Sequence, residues 1–172
     1  SSGSAALVGG GTVDMALGTD QGGSVRLPAA CCGIVGMKAT FGLVPCTGNL
    51  GMEYSLDHIG PLTRSVADNA LLLGIIAGAD GLDSRQADLI EDDYAADLDK
   101  GIAGIKIGLL TEGFGLPQSD KRVDASVRAA AERLAGDGAK VGPISVPMQH
   151  QAGAIWLPRA NEGILATIFQ GN

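Results

Sequence analysis

Residues 18–30 read Gly18-Thr19-Asp20-Gln21-Gly22-Gly23-Ser24-Val25-Arg26-Leu27-Pro28-Ala29-Ala30. A hydroxyl follows two glycines directly, and a short apolar run with Pro28 near its start comes next. That order places Ser24 at a strand-to-helix turn. Glycine serves where a chain bends sharply or lets another molecule approach the backbone. At such a turn the amides of Gln21, Gly22, Gly23 and Ser24 can converge on one space and form an anion-binding concavity. A nucleophile beside an anion site suggests acyl transfer. A Gly-Gly-Ser triplet alone is more often an ordinary loop, so the case rests on its context.

Upstream, Thr12 to Leu17 alternates as a short strand leading into the turn, and residues 4–8 read as a short helix ended by Gly9-Gly10-Gly11. Downstream, residues 24–32 read as a short helix with Ser24 and Arg26 in its first turn, its positive end facing whatever binds there. Repeated glycines then make residues 33–50 loop with short strand pieces. Residues 65–78 read as an amphipathic helix with Ser65 as N-cap, Asp68 in a capping-box position, and Val66, Ala70, Leu73, Ile76 and Ala77 inward. Residues 80–100 are polar and acidic, a surface excursion carrying one short helix. Residues 104–110 are rich in Ile and Leu, the pattern of a buried strand. Residues 120–136 follow as a helix with Val123, Val127, Ala130, Ala131 and Leu134 inward, and residues 139–146 as another strand. Strand, helix, strand predicts parallel neighbours joined by a right-handed crossover. A final helix over 152–169 is interrupted, or starts afresh, at Pro158.

At 172 residues the chain is long enough for one domain with a sizeable core. Apolar residues make up 45% and aromatics 3%, with 27 glycines, which predicts a core of small aliphatic side chains crossed by tight turns. The net charge is −7 with no basic cluster, so nucleic acid is not an expected ligand. Glu91, Asp92, Asp93, Asp97 and Asp99 read as a solvated surface rather than a metal site. Cys31, Cys32 and Cys46 are odd in number without Cys-x-x-Cys spacing, and His58 and His150 are the only histidines, so neither a disulfide framework nor zinc is expected. Cys31 and Cys32 read as small buried hydrophobes in a reducing cytoplasm. No apolar stretch reaches membrane-span length. The chain opens on Ser1-Ser2-Gly3-Ser4, as though cut from something longer.

Over residues 18–45 the run Gly-Thr-Asp-Gln-Gly-Gly-Ser-Val-Arg-Leu-Pro-Ala-Ala-Cys-Cys-Gly-Ile-Val-Gly-Met-Lys-Ala-Thr-Phe-Gly-Leu-Val-Pro resembles the amidase signature family of serine amidohydrolases. Residues 1–8 and the block from Ser55 to Asp68 are similar to that family in the same order. The resemblance implies an α/β fold, the amidase-signature α/β/α sandwich with a mixed central sheet, of which only the middle portion is present. Residues 1–172 would be an internal fragment of a single amidase domain. It also implies a Ser-cisSer-Lys triad that hydrolyses a carboxamide through an acyl-enzyme, with Ser24 as nucleophile and the amides of Gln21, Gly22, Gly23 and Ser24 as oxyanion hole. No cofactor is implied.

The bridging serine of that family lies about twenty-four positions before the nucleophile. On that spacing it falls one residue before Ser1. With a one-residue deletion between Ser1 and Gly11, Ser1 itself would be the bridge. The family's lysine sits further upstream, and none of Lys38, Lys100, Lys106, Lys121 and Lys140 matches its position. Lys38 aligns instead with the lysine of the family's Lys-Pro-Thr segment, where Ala39 departs from the pattern. A His-assisted triad is a poor fit, and His58 reads as structural or pocket-lining. Asp20 and Arg26 flank Ser24 and are expected to form a partly buried pair that fixes the loop. The 172 residues alone are therefore expected to be inactive.

Leu27 stands where glutamyl-tRNA amidotransferase A subunits usually carry Gln. Residues 20–24, Phe41 to Pro45 and Asp83 to Asp88 look more like the broad-substrate, often enantioselective amidases associated with nitrile hydratases. Those act on small aliphatic and arylaliphatic amides, commonly as homodimers. Tyr54, Phe114, Trp156 and Phe169 are the available pocket aromatics, unplaced by sequence. Two alternatives stand beside this reading: the A-type component of a glutamyl-tRNA amidotransferase, and a non-catalytic scaffold of the same fold.

Overall fold

The structure is a computed structural model that describes residues 1–87 and 92–170; Asp88 and Glu91, named above, lie outside the described residues. The chain divides into two compact units, one of residues 1–98 and 156–172, the other of residues 99–155. Helices accompany an antiparallel sheet in the first unit and a parallel pair in the second, which makes the chain α/β.

The first unit is built on β3 (His58–Thr63), the central strand of a three-stranded antiparallel sheet ordered β1-β3-β2. Its neighbours are β1 (Met15–Asp20), in register from Met15↔Thr63 to Asp20↔His58, and β2 (Val35–Gly36), paired Val35↔Thr63 and Gly36↔Leu62. The sequence reading assigns no element to residues 58–63, where Gly60-Pro61 carries turn chemistry and proline cannot donate to a ladder. Here the Pro61 carbonyl still accepts from the Met37 amide at 3.2 Å and from Asn69 Nδ2 at 3.3 Å. Gly60 is required by close approach: a β-carbon there would stand 1.9 Å from the Met37 carbonyl oxygen.

α1 (Ser2–Gly9) and α2 (Arg26–Cys32) meet the sheet through Ala5, Val25, Ala29 and Leu62, which form one buried cluster with Ala16 and Ile34 packed against it. β1 starts three residues later than the alternation of Thr12–Leu17 predicts and runs through Asp20. The segment before it is held instead by Arg64, whose guanidinium donates to the Val8 and Val13 carbonyls and to Asp14. α3 (Val66–Ile76) has the predicted cap: the Ser65 hydroxyl accepts from the Asp68 amide at 3.1 Å and donates to its carboxylate at 2.7 Å. Of the expected stripe, Leu73, Ile76 and Ala77 lie in or against a buried cluster, and the inward face departs from it at Val66 and Asn69. Val66 is 59% exposed, whereas Leu73 and the polar Asn69 are buried. Asn69 Nδ2 reaches Val35 O, Pro61 O and Thr63 Oγ1, so one amide joins the helix to two strands.

Residues 80–87 and 92–100 form bends and turns; the short helix expected there is absent among the described residues, and Asp92, Asp93, Asp97 and Asp99 are exposed. Aspartate side chains close these turns locally, as Asp80 does for the amides of Leu82 and Asp83, and that competes with helix.

In the second unit β4 (Lys106–Leu110) and β5 (Lys140–Ile144) pair in parallel from Lys106↔Lys140 to Leu110↔Ile144. α4 (Lys121–Gly136) lies between them in sequence, with Asp120 accepting from the Arg122 amide as N-cap. Of the residues expected inward on α4, Ala131 is buried, while Val123, Val127 and Leu134 remain exposed, and β4 is likewise only partly covered. A two-stranded sheet has too little surface to cover a helix face and both strand faces. The last helix, α5 (Ala152–Gln170), runs unbroken through Pro158. No described helix is long and apolar enough to cross a membrane.

Candidate active site

β1 ends at Asp20 and α2 begins at Arg26, so Ser24 sits in the turn between them, just outside the helix rather than in its first turn. Two forces set that turn. Val25 is fully buried beneath it while Ser24 is exposed, so the neighbour's burial turns the hydroxyl outward. Burying a side chain of that size is worth about 1.5–3 kcal/mol. Gly23 has φ +123°, and a β-carbon there would meet Leu27 Cδ1 at 2.8 Å, so the position admits only glycine.

The second force is Asp20, whose side chain is shielded from solvent. Its Oδ1 accepts from the Gly23 amide at 2.7 Å and from Arg26 Nη2 at 3.0 Å. Its Oδ2 accepts from Arg26 Nε at 2.9 Å and from the amides of Val25 and Arg26 at 3.3 and 3.4 Å. One carboxylate thus ties the two ends of the turn together. Burial pushes its pKa upward, but the Arg26 side-chain hydrogen bond, the Gly23 amide, the guanidinium charge and the Val25 amide outweigh it and hold the group at about 2. Arg26 is raised in turn, chiefly by its hydrogen bond to Asp20. The Arg26 side chain is 52% exposed, so the pair is buried on the carboxylate side alone.

Ser1, Ser2, Ser24, Leu27, Pro28, Cys31 and Cys32 line a cavity of about 320 Å³. Both cysteines are exposed rather than buried: Cys31 points away from Ala29, and Cys32, on the Val25–Ala29 side, reaches the edge of α1 where a β-carbon at Gly9 would stand 3.2 Å from its Cβ. The Ser1 hydroxyl accepts from the Thr19 amide at 2.8 Å and donates to the Thr19 carbonyl at 3.1 Å, so it is engaged by β1. The Gly23 amide is committed to Asp20, which leaves those of Gln21, Gly22 and Ser24 without a protein acceptor among the described residues. Buried Gln21 Nε2 also lacks a partner there.

Beside the turn, Lys38 Nζ donates to the Ala39 carbonyl at 2.9 Å and lies 3.1 Å from His58 Nε2. His58 Nδ1 lies 2.7 Å from the Leu56 carbonyl. A carbonyl only accepts, so Nδ1 carries the proton and Nε2 accepts a hydrogen bond from the ammonium. Burial lowers the pKa of both groups; for Lys38 the Arg26 charge adds to this, and for His58 the Lys38 charge does. Sequence reading treats these residues separately; the β2–β3 pairing, continued by the Met37 amide on the Pro61 carbonyl, brings Lys38 to His58.

A larger cavity of about 550 Å³ lies elsewhere, lined by Cys46, Tyr54, Asp57, Asp83 and Arg85 among others. Asp83 and Arg85, both nearly buried, pair there at 2.6 Å, and the guanidinium lies 5.6 Å from the Phe41 ring centre and 5.1 Å from that of Tyr54. The charges of that pair answer each other. Ser24 stands in the smaller one. Among the described residues no cluster of side chains could hold a metal ion. Trp156, unplaced by sequence, lies against Gln21 and Gly22. A separation of 135 positions hides that contact from any local pattern.

Ser24 is thus exposed beside amides without a protein acceptor among the described residues, on a turn tied by a buried carboxylate. The family model described as Amidase matches residues 1–165, and the chain belongs to that family. It is 48% identical over 174 aligned positions to an enantioselective amidase of Rhodococcus rhodochrous, covering all of this chain and 33% of that protein. It is 49% identical over 153 residues to the A-type component of the glutamyl-tRNA(Gln) amidotransferase of Synechococcus sp. strain RCC307, covering 89% of this chain and 31% of that one. The corresponding protein from Thermotoga maritima superimposes with a TM-score of 0.90 at 35% identity, over 97% of this chain and 36% of that chain. The peptide amidase of Stenotrophomonas maltophilia gives 0.80 at 34% identity, over 94% and 34%. The chain thus spans about a third of the length of these relatives.

Proposed function

We propose that these residues form the middle of a single amidase domain that converts a carboxamide to a carboxylate and ammonia. Ser24 attacks the carbonyl carbon and loses its hydroxyl proton to a base. The leaving nitrogen takes that proton back from the base and departs as ammonia, and water then releases the acid from the acyl-serine. The amides of Gln21, Gly22 and Ser24 receive the developing oxyanion, with each donor worth about 2.7–4 kcal/mol in such sites. The Gly23 amide serves the turn through Asp20 instead. Arg26 completes that tie. The base is a lysine outside these residues, acting through a serine that precedes Ser1. The engagement of the Ser1 hydroxyl by Thr19 favours that placement over Ser1 itself.

The observation that carries the reading is an exposed Ser24 in a cavity, over a turn fixed by a fully shielded carboxylate. The substrate is a small aliphatic or arylaliphatic amide, in keeping with the similarity to an enantioselective amidase. The second reading, the A-type component of an amidotransferase, is supported by relatives of equal similarity. The test compares the 172 residues with a polypeptide extended on both sides to the length of the relatives. A fluorophosphonate probe should label Ser24 in the extended protein, Ser24→Ala should abolish labelling, and the 172 residues should turn over nothing. Hydrolysis of a free small amide without tRNA or a partner selects the first reading, and dependence on both selects the second. An extended protein that is folded, unlabelled and inactive leaves a non-catalytic scaffold.

A further inference from the structure

Trp156, the chain's single tryptophan, makes two contacts with the turn that carries Ser24. Its Nε1–H donates to the Gln21 carbonyl at 3.2 Å. Its ring lies against Gly22, where a β-carbon would stand 2.6 Å from Cζ2 and 2.7 Å from Cε2. Both contacts act on one peptide unit, the one joining Gln21 to Gly22. In a planar trans peptide the carbonyl and the N–H point in opposite directions. An indole that holds the oxygen on its own side therefore directs the Gly22 N–H away from itself. On its Gly22 side this peptide meets no β-carbon, so the glycine itself does little to fix its orientation. Donation to the carbonyl also polarises the peptide and strengthens its N–H as a donor.

We propose that Trp156 is a positioning residue for the anion-stabilising turn: it clamps the Gln21–Gly22 peptide so that the Gly22 amide is already aimed when charge develops on the substrate oxygen. This role rests on the reading of Ser24 as nucleophile. It divides the support of the turn between two contacts. Asp20 holds the Gly23 end from within, and Trp156 holds the Gly22 end from α5.

The experiment uses the extended protein with Trp156→Phe, which keeps a ring against Gly22 and removes the donor. Losing one hydrogen bond predicts a kcat lower by about three- to tenfold, with KM within about twofold, because the clamp acts on transition-state charge. Fluorophosphonate labelling of Ser24 should slow in proportion, and the Gly22 amide resonance should shift. If Trp156→Phe fails to fold, replacement by β-(3-benzothienyl)alanine, which has the shape of tryptophan without the N–H, carries the same expectation. An unchanged kcat, a loss confined to KM, or an unmoved Gly22 amide overturns the proposal while a labelled wild type leaves the nucleophile in place. A wild type that neither hydrolyses nor labels refutes the nucleophile, and the proposal falls with it.

Discussion

Titrating Asp20 should weaken the fold in a narrow acid range. The folded pKa lies near 2 against an ordinary 3.8. A tenfold change in proton affinity corresponds to about 1.4 kcal/mol, so the carboxylate contributes about 2 kcal/mol. The group is shielded from solvent, so screening does not erase that figure. The sign follows from the lowered pKa. The contribution is complete above the unfolded-state pKa near 4 and is lost as pH falls towards about 2. Asp20→Asn should therefore be less stable than wild type at pH 7 by about 2 kcal/mol, and the difference should vanish by about pH 2. For a chain of this size that is a melting-temperature gap of about 4–8 °C at neutral pH.

Arg26→Ala should lower stability by about 2–3 kcal/mol at pH 7, below the 3–5 typical of fully buried pairs because half of the guanidinium is in water. It should also raise the acid midpoint, since burial would then act on Asp20 with only the backbone donors opposing it. The assay is urea denaturation of the three proteins at intervals from pH 7 to pH 2. Asp83 and Glu112 also have lowered pKa values, but they are common to all three proteins and cancel in the differences. Parallel profiles for wild type and Asp20→Asn across the acid range would refute the reasoning.

Other expectations are as specific. Arg85→Ala leaves Asp83 charged and nearly buried and should cost about 3–5 kcal/mol, read as a fall in urea midpoint; a midpoint unmoved within error contradicts the buried-pair assignment. Gly60→Ala drives a methyl into the Met37 carbonyl and should cost more than about 3 kcal/mol, shown by a melting temperature many degrees lower, and a melt matching wild type would rule out the close approach. His58 should titrate below its ordinary 6.5 and carry its proton on Nδ1, giving stability that is present above about pH 6.5 and declines as pH falls through the lowered value. Nitrogen-15 chemical shifts of the ring measure both, and a midpoint above 6.5 or protonation at Nε2 would show that the Lys38 contact is misread.

The residues that define the family and propose the chemistry lie within short runs, which is why sequence alone exposes them. A glycine pair before a serine, a capping Ser65 with Asp68 three positions on, and alternating or helical spacing are all local, and local backbone preference is written into neighbouring side chains. By that route the sequence determined α1, α2, α3, the β4–α4–β5 order and the placement of Ser24 at a strand-to-helix turn. It could not reveal β3, because Gly60-Pro61 contradicts strand propensity and is overruled by pairing with residues about forty positions away on β1. Nor could it reveal that Cys31 and Cys32 are exposed, because which side of a seven-residue helix is covered depends on what packs against it. The Lys38–His58 contact and the indole against Gly22 were decided by tertiary structure alone. Each joins side chains whose meeting is set by sheet register or by a helix returning from the far end of the chain, and no local pattern encodes that distance.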